Sequence, residues 1–387
     1  MTTVRVVRDV AGLRAFVPRI EQLAADLCEP NVFYEPWMLL PMIEHFGRGR
    51  QLRFVLLFEG PGDDDRLCGF FPLERGRLHH LAPLPCYRMW LTQHCFRCAP
   101  LVRAGALDDC LMAFFRWFHD DPGNPRLLEL SEIGDGEVQR GIDRLVAAEP
   151  ALHCARSARG SMLVRRAASA EAYLRRHGSS RFLQQWRRKS RRLADLGEVR
   201  FTEPRTAPEL EAAIEEFLAL EASGWKGRAG SALAAQPADR RFFAEVVREA
   251  FRRRRLSLLC LRLDGRPIAA RCAFAAPPGS FVFKIAYDEA YAKYSPGLLL
   301  EMEGIQRLHG ALDGAAAPIE WLDSCAQPDS GLYLRVGSEM RQVYRYRIAA
   351  GAGPGMLLVR LLPHISVLYR LFAGYTDTAG NDPPSMA

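Results

Sequence analysis

Along the second half of the chain, apolar positions arrive in strand-length runs separated by turn residues. Leu256 to Leu263 (LSLLCLRL) ends at Asp264-Gly265, a strong hairpin signal, and Pro267 to Ala275 returns as a second strand. After Pro277-Pro278-Gly279, the stretch Phe281 to Tyr287 (FVFKIAY), rich in aromatic and β-branched residues, makes a third. Ser295-Pro296-Gly297 then opens a helix over Leu298 to Leu312, with Ser a favourable N-cap and Pro favoured at the first helical position. Ile319 to Leu322 reads as a further strand, ending at Asp323-Ser324-Cys325. Upstream, helical spacing covers Ala170 to Leu196, Ala207 to Ala222 and Asp239 to Arg255, with a short strand at Val199 to Thr202.

The first half repeats this order loosely. A helix at Trp37 to Phe46 precedes strands at Arg53 to Glu59, Leu67 to Leu73 and Arg77 to Leu81; Leu107 to His119 is helical and Arg126 to Ser131 is a strand. Helix, three strands, helix, strand thus occurs twice, which favours an α/β fold of two similarly built lobes, 1–165 and 166–350, joined near Cys154 to Ala170. The remainder, 351–387, differs. Gly351 to Gly355 breaks the chain, and Met356 to Phe372 is apolar but interrupted by Arg360, Pro363, His364 and Arg370. That pattern suits a helix pair docked on the protein or on a second copy in a homodimer, with peripheral contact to a membrane surface as the lesser alternative.

Composition narrows the class. Of 387 residues, 49% are apolar and 25% charged, which excludes a disordered or fibrous chain. No uncharged apolar run reaches the length of a membrane span, and Arg5, Arg8, Asp9 and Arg14 break any signal-peptide core, so a cytoplasmic protein is expected. Ten cysteines, mostly inside apolar runs, fit reduced buried thiols. His94-Cys95-Phe96-Arg97-Cys98, with Cys86, His79 and His80 upstream, holds half of a zinc site, but no second cysteine pair follows at the required spacing; no metal is expected.

Charge adds a ligand class. The balance of 52 Lys+Arg against 45 Asp+Glu gives a net +7, carried mostly by arginine, whose guanidinium fork suits phosphate and carboxylate. At the helix start Tyr291-Ala292-Lys293-Tyr294-Ser295-Pro296-Gly297, unpaired backbone N–H groups, a hydroxyl, a cation and a glycine coincide, as a pyrophosphate site requires. Spacing alone fits an ordinary capped helix equally well.

Several separate stretches, taken together, carry a resemblance. Leu220-Glu221-Ala222-Ser223-Gly224-Trp225-Lys226-Gly227-Arg228, Phe283-Lys284-Ile285-Ala286-Tyr287-Asp288, Ser295-Pro296-Gly297-Leu298-Leu299 and Asp323-Ser324-Cys325-Ala326-Gln327-Pro328-Asp329 occur in that order. Over roughly 170–348 the chain resembles the BioF2-like acetyltransferases of the GNAT (GCN5-related N-acetyltransferase) superfamily. It departs from them after Pro328-Asp329, where Ser330 and Leu334-Arg335-Val336 replace a His and a Trp-containing stretch. The resemblance implies tandem GNAT-like lobes, each a mixed, mostly antiparallel sheet flanked by helices. It also implies an N-acyltransferase that moves an acyl group from acyl-CoA, acetyl-CoA foremost, to an amine of a small-molecule acceptor in the second lobe.

By the same resemblance, Lys293, Tyr294, Ser295, Pro296, Gly297, Leu298 and Leu299 would contact the CoA pyrophosphate, while Tyr287, Asp288 and Asp323 would surround the thioester. Asp288 is the candidate base, with Lys284 on the same strand face, and Tyr333 the candidate acid for the leaving thiolate. Trp225, Lys226 and Arg228 are candidates for an acceptor pocket, against a plain helix terminus capped by Gly224. Cys325 is a candidate acceptor-side residue or acyl-accepting nucleophile. The basic stretch Arg175 to Arg192, interleaved with Phe182 and Trp186, supports an alternative: a Fem-like aminoacyl transferase, which takes its acyl group from aminoacyl-tRNA. A non-catalytic GNAT-like binding protein is the third reading.

Overall fold

The computed structural model describes residues 2–60, 66–78, 83–310, 319–326, 339–351 and 353–361. Its first half runs β1 (Thr2–Val7), α1 (Val10–Arg14), α2 (Val17–Ala24), α3 (Pro36–Phe46), β2 (Gln51–Glu59), β3 (Arg66–Arg77), β4 (Pro85–Met89), β5 (Leu101–Val102), α4 (Leu107–Asp120), β6 (Leu127–Gly134), α5 (Glu137–Ala148) and β7 (Leu152–Arg165). The second runs α6 (Ala170–His177), α7 (Ser180–Ala194), β8 (Val199–Thr202), α8 (Ala207–Ser223), α9 (Trp225–Arg228), α10 (Pro237–Arg252), β9 (Leu256–Leu263), β10 (Arg266–Ala276), β11 (Gly279–Tyr287), α11 (Pro296–His309), β12 (Trp321–Asp323) and β13 (Glu339–Ala350).

Both halves join in one mixed sheet, ordered β1-β2-β3-β4-β6-β13-β7-β12-β11-β10-β9-β8, with β5 paired to β3. The order is nearly symmetric about its centre. Each half has an antiparallel run of four strands, then a parallel partner: β4 with β6, and β11 with β12. The last strands are exchanged. β7 pairs with β12 of the second half, β13 pairs with β6 of the first, and the two pair with each other from Glu339↔Leu163 to Ala350↔Leu152. The segment 154–165, read as a joint between lobes, is therefore part of a sheet strand. Neither β7 nor β13 is legible as a strand, because polar and charged residues (HCARSARG, EMRQVYRYR) line both and only their ends are buried runs.

Local chemistry explains the smaller departures. The single helix expected over 170–196 is two: Ser169 caps α6 by accepting from the Ala172 N–H, and Ser179 restarts the chain as α7 by accepting from Phe182. α8 carries a full capping box between Thr206 and Glu209. Gly224 after it has φ −92°, not the left-handed cap expected of it, and serves as the start of α9. The end of the strand expected at 77–81 and the tail beyond 361 lie outside the described residues, while 354–361 is helical with Val359 packed on Cys86 and Leu127.

The aromatic core crosses the halves. Phe33 packs on Phe96 and Phe281, Trp37 on Phe274, and Phe96 on Phe283, with α3 lying against α10. Among the described residues no helix is long and apolar enough to cross a membrane.

Candidate functional site

The site begins with a defect in the sheet. Along β10 and β11, Cys272 faces Lys284 but Ala273 faces Val282, so Phe283 is an extra, unopposed residue. Such a bulge bends its strand and re-aims the side chains around it. On the other side, among the described residues, β11 pairs with β12 only through Gly279↔Trp321, Ser280↔Leu322 and Phe281↔Asp323. Beyond Asp323 the chain follows β7 instead, Ser324 N–H donating to Met162 O at 2.9 Å. The two strands therefore part beyond Phe281, two residues before the bulge, which opens the sheet on that side of β11. Non-glycine residues in left-handed backbone stand on both flanks, Ser295 at φ 54° and Cys325 at φ 52°.

One flank of the opening is the start of α11. Gly297 is buried there, and a Cβ on it would sit 3.8 Å from Ile285 and 3.9 Å from Tyr287, ordinary contact with room to spare. Ser295 makes no side-chain cap; its hydroxyl instead receives a hydrogen bond from Lys189 of the basic helix α7. Arg192 of α7 and Lys293 lie over the Tyr294 ring, at 5.9 and 5.0 Å. Two charge patches that are far apart in sequence, 175–192 and Lys293, thus converge on one turn. Pro296, Leu298 and Leu299 bury their side chains and offer only backbone. The equivalent helix of the first half, α4, starts with Ala106, Asp108 and Asp109, an acidic turn that repels phosphate.

The other flank is lined by a cluster that spans the two halves. Lys284, re-aimed by the bulge, lies over Phe96 and Phe283 at 5.5 and 5.7 Å. Burial, and then the charge of Lys226, push its ammonium down to a pKa of about 8. Lys226 bonds Glu221 at 2.8 Å and the Ile285 carbonyl on β11 at 3.0 Å. Glu221 in turn accepts from the Leu233 N–H at 2.8 Å. From the first half, His94 Nε2 meets Asp239 Oδ1 at 2.8 Å, and Gln93 donates to the same oxygen at 2.7 Å. Phe46, Phe242 and Phe283 enclose the His94 ring.

Several expected residues are engaged elsewhere. Asp288 caps the turn 289–294, accepting from the Ala290 N–H at 3.0 Å, and pairs with Arg266 at 2.8 Å. Its side chain is thus engaged outside the Lys284 cluster. Trp225 is exposed, its backbone N–H bonded to Glu289 at 2.7 Å, and Arg228 pairs with the same Glu289 at 2.7 Å, so neither enters the Lys284 cluster. Tyr287 packs beside Gly297. Tyr333 lies outside the described residues.

Asp323 is fully buried and bound to two arginines. Arg97 grips it bidentately at 2.9 and 2.7 Å, Arg341 adds a bond at 3.1 Å, and Ser161 and the Cys325 N–H donate at 3.2 and 2.8 Å. Burial alone would raise its pKa, but the two guanidinium charges hold it below the usual carboxylate range. This carboxylate fixes the strands of both halves; it is not a free acid or base. Burial and the neighbouring Asp323 charge push the Cys325 thiol up, opposite to what a nucleophile needs.

Gln93 and Asp239 were not singled out by the sequence, and His94 and Arg97 were weighed only within the HCFRC stretch as half of a zinc site. In the fold Cys95 and Cys98 turn their sulfurs toward each other at 3.7 Å while His94 and Arg97 reach across to the second half. Among the described residues no group of three or more His, Cys, Asp or Glu is placed to hold a metal ion.

Comparison with known proteins places this geometry. Residues 180–315 match the family model described as the acetyltransferase (GNAT) domain, which supports the GNAT resemblance over that segment but not its BioF2-like subtype. No curated protein sequence matches the chain. Among solved structures, it is similar to a conserved protein of unknown function from Bacteroides thetaiotaomicron VPI-5482 (12% identity, 90% of this chain and 100% of that one, TM-score 0.51). It is also similar to FemX (9%, 88% and 96%, 0.53). A third likeness is to the C-terminal domain of a protein from Agrobacterium fabrum described as a lysylphosphatidylglycerol synthetase (12%, 92% and 96%, 0.52). At these identities the likeness is one of fold, and it extends over both halves of the chain.

Proposed function

We propose that the protein is an acyl-CoA-dependent N-acyltransferase. It transfers an acyl group, acetyl being the simplest, to an amine of a small-molecule acceptor by direct attack on the thioester. The observation that carries this reading is the opening that starts beyond Phe281 and runs beside the start of α11, where Lys189, Arg192 and Lys293 gather. A diphosphate fits such a place: backbone N–H groups of the first turn, no side chain at Gly297, and cations from two elements. Tyr287 and Ile285 would flank the pantetheine. Lys284, at the bulge, would donate to the thioester oxygen as negative charge develops on it, in a site walled by Phe96 and Phe283 where a fixed cation acts strongly. The Asp323 cluster holds the far strand of the opening in place.

One prediction isolates the phosphate grip. Gly297→Leu places a side chain between α11 and β11 and is expected to weaken acetyl-CoA binding by at least about 100-fold, while Gly297→Ala keeps the fold and loses less. Titration calorimetry with unchanged circular dichroism checks both.

A second reading retains a specific observation. Arg181, Arg187, Arg188, Arg191 and Arg192 of α7 are exposed, more cation than a single coenzyme engages. An aminoacyl-tRNA donor would use them, and would show tRNA binding that weakens steeply with salt.

A further inference from the structure

His94 is 3% exposed, and its Nδ1 has no hydrogen-bond partner among the described residues. Its Nε2 faces the Asp239 carboxylate at 2.8 Å, so in the neutral ring the proton sits on Nε2 and Nδ1 carries a lone pair. A buried acceptor with nothing to accept from is destabilising and calls for a reason. Here the ring stands beside the bulge, with Phe283 at 5.9 Å and the Lys284 charge acting on it. The carboxylates around the opening are already engaged with cations: Asp288 with Arg266 and a backbone N–H, Asp323 with two arginines, Glu221 with Lys226 and a backbone N–H.

Resting on the acyl-transfer reading above, we propose that His94 Nδ1, backed by Asp239 and Gln93, is the proton acceptor for the attacking amine, so that the first half of the chain supplies the base for a donor site built in the second. The amine nitrogen bonds to the acyl carbon as its proton passes to Nδ1. The carbon–sulfur bond then breaks, its electron pair goes to sulfur, and the thiolate takes that proton, returning His94 to the neutral ring. No other reactant is consumed. Asp239 orients the ring and steadies the imidazolium that forms in between.

The charged and polar groups around the ring are Asp239 from α10, Gln93 beside it, Lys284 from β11 and Glu221 from α8. Burial lowers the pKa of His94 more than the bond to Asp239 raises it, and Lys284 lowers it further. The base form is therefore present at neutral pH, and the rate should fall only as the medium turns acid through that depressed value.

The test uses the full chain labelled with 15N-histidine, with His94→Gln to assign its signal, and acetyl-CoA with a mixture of amino acids and amino sugars for thiol release. The expected spectrum is a neutral ring protonated on Nε2. His94→Gln should bind acetyl-CoA within about twofold of wild type yet release thiol about 100-fold more slowly, without the acid limb of the wild-type profile. Asp239→Asn, which keeps the volume, should lose a similar factor. A ring protonated on Nδ1, or a folded His94→Gln that transfers at the wild-type rate with the wild-type pH profile, overturns the assignment. Wild-type protein that fails to bind acetyl-CoA overturns the donor reading instead, and the ring spectrum still decides the tautomer.

Discussion

Asp323→Asn should be among the most destabilising single substitutions in the protein, by about 3–5 kcal/mol in chemical denaturation. It leaves Arg97 and Arg341 buried against a neutral amide. The loss is larger than for any exposed pair, such as Arg175–Glu171, whose removal should change stability by less than about 0.5 kcal/mol. The reason is position. Arg97 comes from the first half, Asp323 from β12, and Arg341 from β13, where it also bonds Glu29 at 2.9 Å and Asp135 at 3.0 Å. One carboxylate thus ties the exchanged strands together. Since the folded Asp323 has a depressed pKa, its contribution is complete above the ordinary carboxylate range and disappears as the pH falls through the folded value. Equal stability of Asp323→Asn and wild type at pH 7 would remove this cluster from the account of how the halves are joined.

Lys284→Met should do the reverse: slow acyl transfer by about 100- to 1000-fold while making the protein more stable. The folded ammonium titrates at about 8 rather than 10.5, so keeping it charged at pH 7 costs about 3 kcal/mol at most. That penalty is fully present below pH 8, shrinks as the pH rises, and is gone above the unfolded value, so the gain from Lys284→Met should be largest near neutrality and vanish near pH 10.5. Thermal melting across this range, with thiol release at pH 7.5, measures both. A variant that is slower but no more stable would mean that the ammonium is better solvated than its setting between Phe96 and Phe283 implies.

Local signals carried most of the second half. The hairpin turn at Asp264-Gly265, the aromatic run 281–287 and the Ser295-Pro296-Gly297 helix start all stand where apolar period and turn chemistry put them. The exchanged strands β7 and β13 were not legible, because their stability comes from pairing with each other rather than from an apolar pattern of their own. The bulge at Phe283 was hidden for a related reason: a one-residue slip in register leaves no mark in composition, yet it sets the face on which Lys284 stands near His94 and Asp239. His94 and Asp239 are 145 residues apart, a pairing set only by the packing of one half on the other. The convergence of α7 on the α11 start was equally invisible, although both charged stretches could be seen separately.

Calorimetric titration of the full chain with acetyl-CoA, beside the same titration of Gly297→Leu and of bulk tRNA, tests the central claim most directly. The account predicts one saturable acetyl-CoA site per chain on the wild type, its loss in Gly297→Leu, and no tRNA binding at physiological salt. Absence of any heat with acetyl-CoA, together with salt-sensitive binding of tRNA, would contradict it.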